Sequence, residues 1–149
     1  MALLLIFHLF SGDSAAAIRR FTEEEVCTLA NWIVIGKVET RQSMWLDQGQ
    51  TTIITKVTLS VDHVIAGNPG STVSVITLGG TIGETTQFVG EEPAMPIDSM
   101  YLLLLNKPAN SPPALIGGTF GARRLDPEAQ LPTGQEKIEQ WKQVCSEYL

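Results

Sequence analysis

The feature that most constrains this sequence is a pair of strand-like segments, residues 32–40 and 51–65, separated by a polar turn at residues 47–49. After Ile54, apolar and polar side chains alternate as far as Asp62, and most of the apolar ones are β-branched. Alternation is the pattern of a strand with one buried and one solvated face, and β-branched residues suit such a strand. The two segments therefore predict an antiparallel β-hairpin around which the chain is organised.

The alternation fails after Asp62, where His63 falls on the apolar side. A β-bulge at this point would restore the phase and increase the twist. We therefore expect a bulge near Asp62 and a His63 side chain that points into the core. The first segment is apolar on both faces where it begins, so we expect it to be central or to be covered by a helix.

Further strand and turn signals follow along the chain. A strong turn at residues 66–70 precedes a third strand at residues 72–78. The glycine-rich segment 79–83 bends the chain before a short fourth strand at residues 85–89. The remaining assignments are strands at residues 97–105 and 114–120 and an irregular segment at residues 123–132.

Two helices are predicted, one near each end of the sequence. Thr22 and Glu25 have the spacing of a capping box, which would start a short helix at residues 23–30. Thr133 and Glu136 repeat this spacing and would start a longer helix. The apolar stripe of the second helix, at helical spacing, consists of Ile138, Trp141, Val144, Cys145 and Tyr148.

Many short strands with glycine and proline turns predict a mostly β fold. We expect an OB-like antiparallel β-barrel of five or six strands, with a short N-terminal and a longer C-terminal helix, and a β-sandwich as the alternative. The chain has 149 residues and is 44% hydrophobic, enough for one sizeable core. Residues 18–149 are therefore predicted to be a single domain.

The first residues indicate export. Residues 2–10 are almost unbroken apolar, and small residues follow at positions 14–17, which is the pattern of a secretory signal. We predict a signal peptide at residues 1–17, a secreted or periplasmic cell-envelope location, and no membrane span in the mature chain. Exported proteins with two cysteines usually pair them, so Cys27 and Cys145 are expected to form a disulfide, with two buried thiols as the alternative.

Charge and motifs narrow the possible functions. The net charge is −6 and the sequence contains no basic cluster, so nucleic acid is not an expected partner. His63 would be the only histidine left after removal of the signal, too few for a zinc site. The sequence has no hydrolase elbow, zinc-protease or phosphate-loop motif. We therefore predict no catalytic, cofactor-binding or metal-ligating residues, and no cofactor.

One segment is a candidate contact surface. Met44, Trp45 and Leu46 stand next to the hairpin turn, where polar residues are expected. Exposed apolar side chains at loop tips often anchor a partner. The alternative is that Trp45 folds back into the core. The expected partner is a protein or a component of the cell envelope.

After the short helix, the segments CTLANWIVIGKV, TTIITKVTLSVDHVIAGNPG and TVSVITLGG resemble the netrin-like, or tissue-inhibitor-of-metalloproteinase-like, OB-barrel superfamily. They resemble more closely the uncharacterised secreted bacterial domains of this type. The resemblance covers residues 26–105 and implies an OB barrel. In the metalloproteinase inhibitors an N-terminal cysteine binds the catalytic zinc of the target. We expect an exported, non-catalytic binding module; the alternatives are a protease inhibitor of the netrin-like type and a small hydrolase.

Overall fold

The computed structural model describes residues 21–125 of the chain, together with Glu139 and Gln143. The elements are α1 (Glu23–Leu29), β1 (Trp32–Trp45), β2 (Ile53–Ala66), β3 (Thr72–Leu78), β4 (Gly80–Ile82), β5 (Thr85–Gln87), β6 (Met100–Asn106), β7 (Ala114–Leu115), a 3-10 turn (Gly118–Phe120) and β8 (Ala122–Leu125). No helix in this part of the chain is long and apolar enough to cross a lipid bilayer.

Six of the strands form one antiparallel sheet. Its order is β3-β2-β1-β6-β7, and β8 pairs with the other half of the same edge of β6. β4 and β5 form a separate two-stranded hairpin. The predicted antiparallel, mostly β architecture is confirmed. The predicted barrel is not closed, because within residues 21–125 no hydrogen-bonded pair joins β3 to β7 or β8.

The hairpin of β1 and β2 is present, and its first strand is longer than expected. Pairing continues past residue 40 until Trp45 lies opposite Ile53. Polar residues after residue 40 concealed this extension, since here β1 leaves the core: Arg41 and Gln42 are exposed, and residues 43–45 are half-buried. The Asp47 carboxylate stabilises the turn by accepting hydrogen bonds of 2.9–3.1 Å from Thr51 and Thr52, which lower the pKa of Asp47.

The expected bulge lies at Asp62. Ile35 pairs with His63 and Gly36 pairs with Val61, so Asp62 has no partner on β1. The prediction that His63 enters the core is wrong, because its side chain is exposed. Beyond the bulge, Ile65 and Ala66 of β2 pack against a different hydrophobic cluster, which includes residues of α1.

Hydrophobic side chains cover both faces of the sheet, and β1 and β6 contribute to both. The inner cluster comprises Val34, Val38, Val57, Leu59, Val73, Val75, Met95, Tyr101, Leu103, Leu105 and Ala122. The outer cluster comprises Val26, Cys27, Ala30, Ile33, Ile35, Leu102, Leu104 and Ile116. The first strand is therefore both central and covered by a helix, which explains why it is apolar on both faces.

Helix α1 begins as predicted. The Thr22 hydroxyl accepts a hydrogen bond from the Glu25 N–H at 3.2 Å, and the Glu25 carboxylate accepts one from the Thr22 N–H at 3.0 Å. This reciprocal pair satisfies two of the N–H groups that a helix start leaves free. The predicted end at residue 30 is close, since Ala30 is the C-cap.

Other boundaries are corrected where single residues break the ladder. The third strand is confirmed at Thr72–Leu78. The strand predicted from residue 97 begins only at Met100, because Asp98 has a φ of 67°. The strand predicted at 114–120 stops at Leu115, because Gly117 also has a positive φ, and a 3-10 turn follows. The segment from residue 123, expected to be irregular, contains part of β8.

The predicted signal at residues 1–17 lies outside the described residues. The predicted C-terminal helix also lies outside them, apart from Glu139 and Gln143, both of which are helical. The strand predicted at residues 85–89 lies within the described part and corresponds to β5, which is shorter than predicted and ends at Gln87.

A loop at residues 88–99, the crossing loop, runs between β5 and β6. Its Met95 side chain is fully buried in the inner cluster. The Glu91 carbonyl oxygen accepts a hydrogen bond of 3.0 Å from the Thr119 N–H, and the Asp98 N–H donates one of 2.9 Å to Val38. The loop is thereby tied to both sides of β6 and fills part of the inner face by packing.

We expect Gly67→Ala to destabilise the fold by about 2 kcal/mol or more. Gly67 has a φ of +83°, and a Cβ there would overlap the Trp32 ring and the Asn31 carbonyl oxygen. Gly70→Ala is the matched control, since Gly70 has a φ of +78° and open space around it. Chemical denaturation of both variants checks this; equal losses would mean that φ alone, and not the contact with Trp32, requires glycine at position 67.

Candidate functional site

A cleft of about 200 Å³ lies at the C-terminal end of β3. It is lined by Arg41, Thr77, Leu78, Gly79, Gly80, Thr81, Thr86, Gln87, Phe88, Val89, Glu92, Pro93 and Ala94. These residues come from β1, β3, the β4–β5 hairpin and the crossing loop. The cleft is therefore assembled by elements that are distant in sequence.

Hydrogen bonds fix the base of the cleft. The Gln87 side-chain oxygen accepts a hydrogen bond of 2.7 Å from the Ile53 N–H, which joins β5 to the start of β2. The buried Thr55 hydroxyl donates to the Gly79 carbonyl oxygen at 2.7 Å and lies 2.9 Å from the Ser43 hydroxyl. The β4–β5 hairpin is thus held against the open end of the β1–β2 hairpin.

Glu92 is the acidic residue that lines the cleft. Its side chain is half-buried, and desolvation raises the pKa of its carboxyl group. The Leu78 backbone N–H offsets part of this rise, because a hydrogen bond favours the charged carboxylate. The side chain of the crossing loop thereby reaches a backbone group of β3.

Within residues 21–125, the edge of β3 that faces away from β2 presents unpaired backbone groups. The Gly79 N–H donates to Ile53 at 2.7 Å and the Val61 N–H donates to Ser71 at 2.9 Å. Backbone direction alternates along a strand, so the odd-numbered residues bond to β2. The even-numbered residues direct their N–H and C=O groups away from it. Among residues 21–125, no backbone group pairs with those of Ser74 and Ile76.

The predicted contact surface is divided between two faces of the sheet. Trp45 lies opposite Ile53, which is buried, so it belongs to the inner face and is half-buried. Met44 lies opposite Ile54, on the other face. Leu46 is 60% exposed in the turn. The structure therefore does not bring Met44, Trp45 and Leu46 together as one patch.

The outer face carries a different apolar surface, a row of side chains that includes Met44 but neither Trp45 nor Leu46. Met44, Ile54 and Leu78 lie directly opposite one another on three neighbouring strands, and such cross-strand neighbours share a face. Leu78 is 45% exposed at the free edge, and Phe88 at the cleft is 88% exposed. Sequence reasoning missed this row because its members become neighbours only once the register of β3 on β2 is known.

The other predicted residues lie away from the cleft. His63 is exposed on β2 and does not line it. Among the described residues no group of three potential metal ligands is found. Cys27 is a fully buried half-cystine in α1. Cys145 lies outside the described residues, so its pairing with Cys27 stays a prediction.

Comparison of the sequence with protein-family models and with curated proteins finds no match.

We expect Glu92→Gln to change how stability depends on pH. A carboxyl group whose pKa is raised on folding stabilises the protein below its ordinary pKa, and this contribution is lost as pH rises through the folded-state value. Glutamine keeps an oxygen for the Leu78 N–H and carries no charge. The variant should therefore melt at a higher temperature than the wild type near pH 7, and the difference should disappear toward about pH 4.

Thermal unfolding across this pH range measures the effect. Glu84→Gln is the matched control, because Glu84 is exposed in the turn between β4 and β5. A difference between Glu92→Gln and the wild type that stays constant with pH would contradict the assignment of a desolvated carboxylate to the cleft.

We expect the oxidised full chain to be a monomer with one disulfide bond, between Cys27 and Cys145. Intact mass measured after alkylation without reductant should show the monomer mass and no adducts, and reduction should expose two thiols. A disulfide-linked dimer would show that the cysteines pair between copies, and would contradict a bond between Cys27 and Cys145 within one chain. Removal of the bond should cost about 2–5 kcal/mol of stability.

Proposed function

We propose that the chain is an exported, non-catalytic binding module that receives an extended segment of a protein partner as an additional strand on β3. In this mode of recognition main-chain hydrogen bonds supply affinity, and pockets for alternate side chains supply specificity. The observation that carries the proposal is the edge of β3, where Ser74 and Ile76 direct backbone groups outward that have no partner within residues 21–125. An added strand needs about 5 Å on each side, so it would pair with the part of this edge that β7 does not approach within 8 Å.

The sequence and register of β3 contain none of the features that usually protect an edge strand. Edge strands are commonly short, charged, interrupted by proline or twisted away by a bulge. β3 has seven residues without charge or proline, and its register on β2 runs from Thr72 to Leu78 without a shift. A strand of this kind is suited to pairing with another chain.

Side chains on both sides of the edge support the same function. On the outer face an added strand would extend the apolar row of Met44, Ile54 and Leu78 by one more side chain. On the inner side the cleft lies next to Thr77. Its volume of about 200 Å³ is below the roughly 300–1,000 Å³ of typical small-molecule pockets. The cleft is therefore suited to one side chain of a bound segment.

The alternative functions receive less support. Cys27 is buried in α1 and is a half-cystine, so it is not placed like the N-terminal cysteine of the metalloproteinase inhibitors. His63 lies outside the cleft, which leaves a hydrolase without its expected base. These positions favour binding over catalysis and over inhibition of the netrin-like type.

An OB-like barrel and export of the chain are proposed together with this function. An OB-like barrel is supported by the approach of β3 to β7, whose Cα atoms come within 8 Å without strand pairing, and by Leu115 packing on the inner cluster that contains Val73. The half-cystine at Cys27 supports export, because disulfides persist in oxidising compartments. The netrin-like resemblance, the signal at residues 1–17 and the C-terminal helix are proposed with it.

A display library of linear peptides, selected on the full oxidised chain, tests the proposal. Ile76→Pro removes an outward N–H and leaves the bonds between β3 and β2 intact, because Ile76 does not bond to β2. It should lower the affinity of the selected peptides by about tenfold or more, through a lost hydrogen bond and a blocked edge. Ile76→Ala keeps the N–H and should retain most of the affinity.

Hydrogen exchange provides the second measurement. Bound peptide should slow exchange at the Ser74 and Ile76 amides, whereas Val75 already bonds to β2. Circular dichroism checks that Ile76→Pro is folded. The proposal fails if the selected peptides bind Ile76→Pro as well as the wild type, or if the library yields none that protects these two amides.

A further inference from the structure

Two cations flank the C-terminal half of the open edge of β3, one on each face of the sheet. Arg41 lines the cleft on the inner side. Lys56 is exposed on the outer face, directly opposite Ile76. Neither has a salt bridge or a side-chain hydrogen bond within the part of the chain that the structure describes. The edge is therefore bordered by positive charge on both faces.

Unpaired cations at this place are unusual, because the chain contains 16 acidic and 10 basic residues. Two acids of the β1–β2 hairpin are engaged with neighbouring hydroxyl and N–H groups, and a third, Asp62, lies at the bulge, six residues beyond Lys56. Glu39 accepts a hydrogen bond from Ser60 at 2.9 Å, and Asp47 caps the turn. Lys37, farther along β1, has its own partner in Asp98 at 2.7 Å. Arg41 and Lys56 are left to interact with an added chain.

The geometry of an added strand places its side chains near these cations. Neighbouring residues of a strand point to opposite faces. The residue opposite Thr77 would point inward to the cleft, toward Arg41. The next residue, opposite Ile76, would lie on the outer face, where the long Lys56 side chain can reach across from the second strand. The residue opposite Leu78 would extend the apolar row.

We propose, on the basis of strand addition at β3, that the partner segment is acidic, with two adjacent carboxylate side chains next to an apolar residue. The inner carboxylate pairs with the Arg41 guanidinium in the cleft, and the outer one pairs with Lys56. Glu92 lines the same cleft and faces the Leu78 N–H, so the inner carboxylate lies on the Arg41 side, away from Glu92. The apolar residue contacts Leu78.

Three sets of capped peptides test this sequence preference. All have a valine followed by two test positions and a threonine, and the test positions are both glutamate, both glutamine or both lysine. On the full oxidised chain the glutamate set should bind about tenfold tighter than the glutamine set, because a charged hydrogen bond forms in a partly enclosed site. The lysine set should bind most weakly.

Matched variants assign the preference to its residues. Arg41→Gln should remove most of the advantage of glutamate over glutamine. Lys56→Gln should reduce it by about two- to fivefold, because Lys56 is exposed and its pairing is screened. Arg124→Gln removes the same charge from an exposed position on β8, outside the cleft, and should leave the preference unchanged. Added salt should weaken the glutamate set selectively.

The outcomes separate the two proposals. Equal binding of the glutamate and glutamine sets, or equal effects of Arg41→Gln and Arg124→Gln, would overturn the acidic preference. Strand addition itself would stand if Ile76→Pro still abolished binding of the glutamine set. If Ile76→Pro left both sets unaffected, strand addition would fail. A dimer in sedimentation that Ile76→Pro dissociates would overturn the acidic partner in favour of a second copy.

Discussion

The antiparallel pairing of β1 with β2 is the interaction on which the other elements depend. The two strands share a long ladder with three register shifts, and each shift sharpens the local twist. One end of the hairpin is buried against β6 and α1, whereas the other end carries its polar turn away from the core. Because β3 pairs with β2 in continuous register, its C-terminal end lies next to the end of the hairpin that carries the turn, beside the cleft.

The crossing loop covers part of the inner face of the sheet, which the twisted strands do not enclose by themselves. The sheet curls far enough to bring β3 near β7, but within residues 21–125 no ladder closes the gap. Met95 fills space on the inner face, and hydrogen bonds to Val38 and Thr119 hold the loop in place. Side-chain packing needs no continuous backbone partner, so the core is covered although no backbone group within residues 21–125 pairs with the outward groups of Ser74 and Ile76.

Local patterns predicted the parts of the fold that local physics decides. The alternation from Ile54 to Asp62, the bulge at Asp62 and the capping box of α1 each depend on a few consecutive residues. His63 was misplaced because the bulge moves the strand out of one core and toward another, which is a tertiary effect. The candidate site was not predictable in the same way, since Met44 and Leu78 become neighbours only through the pairing of three strands.

An open edge also exposes a protein to pairing with itself, and the charges around β3 bear on this risk. Two copies joined antiparallel at β3 would hold their Lys56 residues on strands about 14 Å apart, and each copy carries a net charge of −6. The like net charge of the two copies, rather than a short-range contact, disfavours such a pair. An acidic segment is instead attracted to this edge, because its carboxylates pair with Arg41 and Lys56. The net charge of the chain therefore opposes self-association, whereas the two cations beside β3 favour an acidic partner.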